Sequence, residues 1–470
     1  MIDHRVAIAW GDSSYPRVGS AGQKNSIAVL LERLFRAWGL DPKRPFKDCI
    51  EPGQVALIKP NWVRDYNPLG HSIDSLITHA SLIESLMMLL AKEMDGRGTI
   101  IVADAPLQNC DFEKLMQGSQ MNQVLSSVQE AFPNMNLVIE DWRLTTMQRV
   151  DWARSWQSAQ PQVSRDQFGQ EDVETHRVVN LGGRSFLEDI ADYSDRFRVT
   201  CYKPSLMRLH HAPGKHEYLI TNRVFDVDFL LNVAKMKTHI KAGLTGALKS
   251  LIGINGHKEY LPHHIKGPYF GGGDNYCTPN RFRTWYEDVY DWYWESFSTL
   301  PLWKRQIGTV TLQCLWQLSK LFQFDKISAS SWRGNETIWR TTLDLNHALY
   351  FWSERRPKRI FNIIDGIIAG EGEGPLSPTP TSAGVLIGGE NPAYVDAVMG
   401  QLMGYNLSRI PTVYHAIYHR RSLFAGPFLE DVTVSSAKDD DSVDSIPFFE
   451  LPNLRFEKPT YWKGADRGKV

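Results

Sequence analysis

Cysteine is scarce in this sequence, and no two cysteines lie close together. The 470 residues include five, at Cys49, Cys110, Cys201, Cys277 and Cys314. Structural zinc sites and iron–sulfur clusters are built from closely spaced cysteines such as a C-x-x-C pair. We therefore expect no iron–sulfur cluster on this chain. An odd, scattered set also suits a reducing compartment better than a disulfide framework, so we predict a cytoplasmic location.

A dominant charge and a long apolar run are also absent. The formal net charge is −1, which creates no global field for nucleic acid, and we predict no nucleic-acid partner. A helix needs about 20 apolar residues to cross a bilayer. The longest apolar run, residues 307–322, is shorter and contains Lys320. We predict no transmembrane segment and expect this run to be a buried or packing helix, with interfacial association as the alternative.

The order of predicted elements indicates an α/β fold. Residues 54–59 and 99–104 are typical of buried strands, and residues 81–93 have apolar positions at helical spacing. A strand, a helix and a second strand at this spacing predict a crossover unit of a parallel sheet. A second series of elements follows from residue 228. We predict parallel-rich sheets with flanking helices, in two lobes with a cleft between them. The predicted divisions are an N-terminal lobe at 1–195, a second lobe at 196–420 and a surface-wrapping tail at 421–470.

Polar residues follow several predicted strands at the point where each strand ends. Lys59 and Asn61 follow the first of these strands, and Asp104 ends the next. In the second series, Lys235, Lys237 and His239 follow residues 228–233, and Asp365 ends residues 360–365. The carboxyl ends of parallel strands meet at one edge, where ligands usually bind. We therefore predict a site there, although each residue alone could be an ordinary solvated loop residue.

Residues 235–264 combine lysines and histidines with glycines. Glycines allow a loop to turn from a strand into a helix, so that backbone amides can approach an anion. Lys59, Lys237 and Lys249 together would favour a carboxylate or phosphate ligand. His239 could exchange protons near neutral pH, or could simply cap the loop. A small anionic molecule is thus the predicted partner.

Residues 365–375 (DGIIAGEGEGP) form a second glycine-rich segment, predicted to be a loop after a strand. Asp365, Glu371 and Glu373 could orient a lysine or coordinate a cation. A tight acidic turn without a ligand is the alternative.

The sequence resembles a family called domain of unknown function 362. The resemblance is carried by KPN at 59–61, AKMKTHIKAGLTGALKSLIG at 234–253, GNETIWRTTLDLN at 334–346, IIDGIIAGEGEGP at 363–375 and PAYVDAVMGQLMG at 392–404. It extends over roughly residues 50–410. Many relatives carry a ferredoxin-like cluster domain, whose cysteines this chain lacks.

A shorter stretch is similar to the central motif of the lactate racemase family. His239, Gly243, Thr245, Gly246 and Lys249 follow the spacing H-x3-G-x-[ST]-G-x2-K. The resemblance implies that the lysine tethers a nickel-pincer nucleotide, that His239 transfers a proton or hydride equivalent, and that a later histidine binds nickel. The chain departs from that family at Asp104, which stands where a histidine is usual, and at KPNW in place of a phosphate-side motif.

Together these patterns predict an enzyme that acts on a small anionic substrate, by racemase-like or epimerase-like transfer of a proton or hydride at carbon. A non-catalytic cofactor-binding or redox-accessory protein and a metal-dependent hydrolase built on Asp104, Asp365 and Glu373 are the alternatives. The predicted cofactor is a nickel-pincer nucleotide or a divalent metal. The predicted site contains catalytic His239, Lys237, Asp104 and Asp365; cofactor-binding Lys249, Gly243, Thr245 and Gly246; substrate-binding Lys59, Asn61 and Glu373; and the metal ligands His257 and His264, with His263 as an alternative.

Overall fold

The computed structural model describes residues 2–19, 25–146, 172–199, 203–321, 330–353, 356–439 and 442–465. The strands are β1 (Val6–Trp10), β2 (Val55–Pro60), β3 (Gly98–Asp104), β4 (Met135–Asp141), β5 (Asp172–Val173), β6 (His176–Asn180), β7 (Phe197–Arg198), β8 (His211–Ala212), β9 (Lys215–Thr221), β10 (Phe229–His239), β11 (Gly243–Thr245), β12 (His264–Ile265), β13 (Arg359–Glu373), β14 (Ser377–Gly389), β15 (Thr433–Ala437) and β16 (Asp444–Pro447). The helices are α1 (Ser26–Trp38), α2 (Ala80–Glu93), α3 (Phe112–Gly118), α4 (Met121–Ala131), α5 (Pro204–His210), α6 (Arg223–Asp226), α7 (Ala247–Ser250), α8 (Arg281–Ser296), α9 (Leu302–Leu321), α10 (Ile338–His347), α11 (Pro392–Leu402) and α12 (Pro411–Tyr418).

A ten-stranded mixed sheet organises the molecule, in the order β16-β15-β1-β14-β13-β10-β2-β3-β4, with β11 paired to β10. The strands from β13 to β4 in this order are parallel to one another. Their carboxyl ends therefore lie along one edge of the sheet. Helices flank this sheet, so the predicted α/β class with parallel-rich strands is confirmed.

The two predicted lobes are not confirmed. Strands β2, β3 and β4 come from residues 1–195, and β10, β13 and β14 come from residues 196–420, yet they belong to one sheet. The predicted tail contributes β15 and β16 to the same sheet, where β15 pairs with β1. Hydrogen bonds between strands, which local composition does not reveal, join the three predicted parts.

Helices cover both faces of the sheet, and successive residues of the strands alternate between two cores. In β2, Ala56 and Ile58 pack in the core that includes α1, α2 and α4. Leu57 points to the other core, which includes residues of α7, α10, α11 and α12. Because both faces are buried, the strand is a nearly continuous apolar run rather than an alternating one.

The structure differs from the expected elements in two places. The apolar spacing of residues 112–131 predicts one helix, but these residues form α3 and α4, because Gln120 adopts a left-handed φ of 62°. Residues 365–375 were predicted as a loop, but β13 continues to Glu373 and pairs with β14 as a hairpin. The run beginning at residue 307 forms most of α9, a helix that packs against Tyr293 of α8 and exposes other residues to solvent; residue 322 lies outside the described residues. No helix in the described ranges is both long and apolar enough to cross a membrane.

Candidate functional site

Two buried ion pairs stand at the carboxyl edge of the parallel strands. Lys59 Nζ of β2 lies 2.7 Å from Asp104 Oδ1 of β3. Lys235 Nζ of β10 lies 3.0 Å from Asp365 Oδ2 of β13. All four side chains are almost fully buried. Removing either residue of such a pair would leave an uncompensated buried charge, so each residue requires its partner.

The backbone of Gly253 packs directly against the Lys59–Asp104 pair. A Cβ on Gly253 would fall 1.9 Å from Asp104 Oδ1, so no larger residue fits without moving the pair. Asp104 also accepts hydrogen bonds from the backbone N–H of Trp62 at 2.7 Å and of Ala105 at 2.9 Å. The carboxylate is therefore held in place by several donors. Burial raises the pKa of Asp104, and the Lys59 charge opposes that rise.

The second pair belongs to a saturated hydrogen-bond network. The Tyr15 hydroxyl donates to Asp365 Oδ1 at 2.6 Å and accepts from Lys235 Nζ at 2.7 Å. The backbone N–H of His79 donates to Asp365 Oδ2 at 3.0 Å, and the rings of Tyr15 and His79 stack at 3.7 Å. This network fixes the segment after β1 and the start of α2 against the sheet. Asp365 has its acceptors engaged, which suits a structural role.

A group of lysines near the first pair has no carboxylate to neutralise it. The lysine cluster consists of Lys237, Lys249 and Lys258. Among the described residues, none of the three forms an ion pair with an acidic side chain. Lys237 is fully buried, and its ammonium donates to the carbonyl oxygen of Leu76. The lysine cluster thus places positive charge beside Lys59 without an equal negative charge.

The surroundings shift the protonation of the lysine cluster. Burial, together with the charges of nearby lysines that include Lys258 and Lys59, lowers the pKa of Lys249 from 10.5 to about 7. Burial likewise lowers the pKa of Lys258 to about 8, although Asp104 opposes this change. The Lys249 residue as a whole is half-buried. A lysine with a pKa near neutrality can both bind an anion and exchange a proton.

Two histidines near Lys249 are held in opposite tautomers. His239 Nδ1 accepts hydrogen bonds from the backbone N–H groups of Lys241 at 3.0 Å and Ala242 at 3.2 Å. Its neutral ring therefore carries the proton on Nε2. His263 Nδ1 lies 2.7 Å from the carbonyl oxygen of Leu261. Since a carbonyl oxygen only accepts, Nδ1 of His263 carries the proton and its Nε2 has a free lone pair.

These histidines and the lysines share one electrostatic environment. Burial lowers the pKa of both His239 and His263 well below the usual value. The charges of Lys249 and Lys241 act on each ring in the same direction. Both rings are therefore held neutral, with one hydrogen-bond donor at Nε2 of His239 and one acceptor at Nε2 of His263.

The glycine motif does not leave its amides open to a ligand. The backbone N–H groups of Ala247 and Leu248 donate to the Asp396 carboxylate at 2.5 and 3.0 Å. A Cβ on Gly246 would fall 2.1 Å from Asp396 Oδ1. Gly243 has a φ of 84°, and a Cβ there would lie 2.9 Å from the ring of Trp462. The motif is thus filled by the protein itself.

Residues 190–401 match the family model described as Domain of unknown function (DUF362). This part of the chain is similar to that family. The match includes the lysine cluster, His239, His263, Asp365 and Asp396, whereas Lys59 and Asp104 precede it. No curated protein matches the chain.

One solved structure, a crystal structure of a protein from Thermotoga maritima, is similar over 79% of this chain at 10% identity, with a TM-score of 0.31. The chain spans 59% of the length of that protein.

Several predicted ligands are engaged by other residues or have positively charged surroundings. Glu373 Oε1 accepts from the backbone N–H of Thr460 at 2.7 Å, so it anchors the tail. His257 Nδ1 lies 2.7 Å from Glu259 Oε2, and the surroundings of His264 are positively charged. Within the described ranges, no three histidine, cysteine or acidic side chains are grouped so that they could hold a metal ion.

Residues 190–401 also include contributors that the sequence did not reveal. The roles of Lys258, Gly253 and Asp396 are recognisable only from residues that are distant in sequence. Asn61 follows β2, and Thr245 ends β11. Each has a buried side-chain oxygen without a hydrogen-bond partner among the described residues, which would suit a bound molecule or water.

Proposed function

We propose that the lysine cluster binds a small molecule bearing a carboxylate or phosphate group. This proposal rests on a difference between neighbouring lysines, some of which have an aspartate partner while others have none. Lys59 and Lys235 each have a buried aspartate as partner, whereas Lys249 and Lys258 have no ion-pair partner in the described chain. Buried positive charge is costly unless it is paired. An anionic ligand would supply the missing charge.

We further propose that the bound molecule undergoes proton transfer at the carbon next to its anionic group. The two histidines provide complementary groups for this step. Nε2 of His263 accepts a proton when the bound anion offsets the charges of Lys241 and Lys249, which contribute to its lowered pKa, and the Nε2–H of His239 donates a hydrogen bond to the oxygen on which charge develops. The reaction class is racemase-like or epimerase-like. His239 is thus assigned a donor role, because a proton at its Nδ1 would displace two backbone donors.

The alternative chemistries predicted from the sequence fit this geometry less well. A metal-dependent hydrolase would need Asp104, Asp365 and Glu373 to converge, but they bind Lys59, Lys235 and Thr460 respectively. The glycine motif was expected to offer its backbone amides to an anion or cofactor. The amides of Ala247 and Leu248 instead bind Asp396, so these two donors do not fit a nickel-pincer nucleotide.

The binding proposal is tested by Lys249→Gln, with Lys92→Gln as a control because Lys92 is an exposed lysine of α2. Calorimetry would measure the affinity for inorganic phosphate and for a panel of small carboxylates, hydroxy acids and sugar acids. Loss of a charged hydrogen bond worth about 1.5–3 kcal/mol should weaken binding by about tenfold or more. The Lys92 variant should bind as the native protein does.

The pH dependence gives an independent readout of the same prediction. An anion favours the charged form of Lys249, whose pKa is about 7. Affinity for a carboxylate, whose own charge is constant in this range, should therefore fall as the pH rises through about 7. Lys249→Gln should flatten this fall. Equal affinity and an equal pH profile in the native protein and the variant would contradict the proposal.

A further inference from the structure

An apolar stripe on α9 faces solvent rather than the core. It consists of Trp303, Ile307, Val310, Cys314 and Leu318. Their spacing of three or four residues places them on one face of the helix. The tryptophan and Ile307 are each 58% exposed, and Val310 and Leu318 are 44% and 45% exposed. Soluble proteins rarely expose a continuous apolar face of this kind unless it binds something.

The opposite face of α9 is already used to pack against α8. The Tyr293 hydroxyl of α8 donates to the Arg305 carbonyl oxygen at 2.8 Å. A Cβ on Gly308 would fall 2.3 Å from the ring of Tyr293, and the rings of Tyr286 and Trp316 lie 6.0 Å apart. The two helices thus form a hairpin whose inner contacts are satisfied. The contacts with α8 do not cover the apolar stripe.

The charges of the hairpin are arranged asymmetrically. The sequence of α9 contains Lys304, Arg305 and Lys320 and no acidic residue. The acidic side chains of α8 are directed to basic partners elsewhere in the chain: Asp288 and Asp291 pair with Lys266, and Glu295 pairs with Lys203. The helix that carries the apolar stripe is therefore positively charged, and complements a negatively charged surface.

The other helix of the hairpin, α8, also exposes tryptophans. Trp285 is 47% exposed and Trp292 is 64% exposed, and their separation of seven residues places them on one face of that helix. Tryptophan is enriched where protein meets the headgroup region of a bilayer. An amphipathic helix with basic residues and large apolar side chains lies in the plane of such an interface.

We propose that the hairpin of α8 and α9 docks on an anionic lipid surface, with the apolar stripe at the boundary between headgroups and acyl chains. Lys304, which is exposed at the start of α9, extends toward the lipid phosphates. The chain lies on the bilayer, since no described helix is long and apolar enough to cross it. This docking is independent of the lysine cluster and requires no ligand there.

The test is co-sedimentation of the full chain with vesicles of phosphatidylcholine alone or of phosphatidylcholine mixed with phosphatidylglycerol. The native chain should bind the mixed vesicles more tightly, and added salt should weaken this binding. A triple variant, Trp303→Ser with Ile307→Ser and Leu318→Ser, should bind at least about tenfold more weakly, because large apolar side chains dominate interfacial affinity. Leu423→Ser is the matched control, since Leu423 is 56% exposed and lies outside the hairpin.

A second measurement keeps the test valid if the triple variant folds poorly. Cys314 is exposed and lies within the apolar stripe. In a chain carrying Cys201→Ser and Cys277→Ser, an environment-sensitive fluorophore on Cys314 should shift to shorter wavelength with mixed vesicles, and Lys304→Glu should reduce that shift. Failure of the native chain to bind mixed vesicles, or equal binding by the triple variant, overturns the proposal. A dimer that the triple variant abolishes, without vesicle binding by the native chain, would show that a second copy covers the stripe and would also overturn it.

Discussion

Gly253 shows how one residue shapes the chemistry at the edge of the sheet. Its missing side chain lets the backbone close over the Lys59–Asp104 pair. The polar strand ends were recognisable from sequence because lysine and aspartate follow apolar runs there. Which lysines would be neutralised was not recognisable, since that depends on strand pairing. Lys59 meets Asp104 and Lys235 meets Asp365, and neither Lys249 nor Lys258 forms an ion pair with an acidic side chain of the described chain.

At the same scale, the histidine tautomers predict separate effects on binding and turnover. His263→Gln should abolish exchange of a carbon-bound proton for deuterium in a bound carboxylate, because glutamine cannot act as the base. Affinity for that carboxylate should change little, since the lysine cluster remains. Proton NMR in deuterium oxide measures the exchange, and calorimetry measures the affinity.

The control for this prediction is His71→Gln, an exposed histidine. Nitrogen-15 NMR of labelled histidine should in addition show the Nε2–H tautomer for His239 and the Nδ1–H tautomer for His263. Proton exchange that survives in His263→Gln would refute the catalytic role of His263. The anion-binding proposal would then depend only on the affinity measured for Lys249→Gln.

At the scale of elements, the start of α7 depends on a residue from another helix. Asp396 of α11 accepts both free backbone N–H groups at this start, and burial raises its pKa to about 7. The sequence showed a basic, glycine-rich turn into a helix, which is also the pattern of an anion site. It could not show that an aspartate almost 150 residues later binds the amides of this turn, because the sequence of neither segment indicates a contact with the other.

Asp396→Ala should therefore lower the free energy of unfolding by about 2 kcal/mol, since it removes a cap and leaves buried donors unsatisfied. Asp111→Ala is the matched control, because Asp111 caps α3 at a partly exposed position and accepts from Lys114 N–H at 3.1 Å. Its loss should cost about 1 kcal/mol or less. Denaturant unfolding at constant pH compares the two variants, and equal losses would argue against a special role for the Asp396 contact.

Other elements show which local signals are sufficient. The strands β2 and β3 were predicted within one residue, because apolar runs buried on both faces are distinctive. The extension of β13 to Glu373 was missed, since its glycines are typical of loops. In the structure, a Cβ on Gly370 would fall 2.6 Å from the carbonyl oxygen of Ser75. These glycines permit close packing within a strand, which sequence alone does not distinguish from a turn.

At the scale of the whole molecule, the end of the described chain supports the predicted site. Trp462 is fully buried, and its Nε1–H donates to the carbonyl oxygen of Ile240 at 2.7 Å. The indole ring also packs against Gly243. The turn between β10 and β11, which supplies the two amides bound by His239, is therefore held from outside by the tail. Composition predicted only a surface segment there, because the anchoring contact is distant in sequence.

Trp462→Ala should lower the free energy of unfolding by about 3–5 kcal/mol, as expected for a large buried aromatic side chain. It should also broaden or shift the nitrogen-15 signals of His239, because the turn loses its support. Phe449→Ala serves as the control, since Phe449 belongs to the same tail but is 50% exposed. Denaturation measures the loss of stability, and NMR measures the effect on His239. An unchanged His239 signal in a destabilised variant would show that the tail does not support the turn that contacts His239.

The position of β1 in the sheet has a consequence for synthesis on the ribosome. This strand, VAIAW, lies between β14 and β15, so its first partner begins at residue 377 and its second at residue 433. Translation proceeds at about 5–20 residues per second, so β1 waits roughly 20 to 90 s for both neighbours. During that interval an apolar strand with two unpaired edges is available to other nascent chains. Productive folding of this protein is therefore expected to depend on protection of its first strand by a chaperone that acts early in translation.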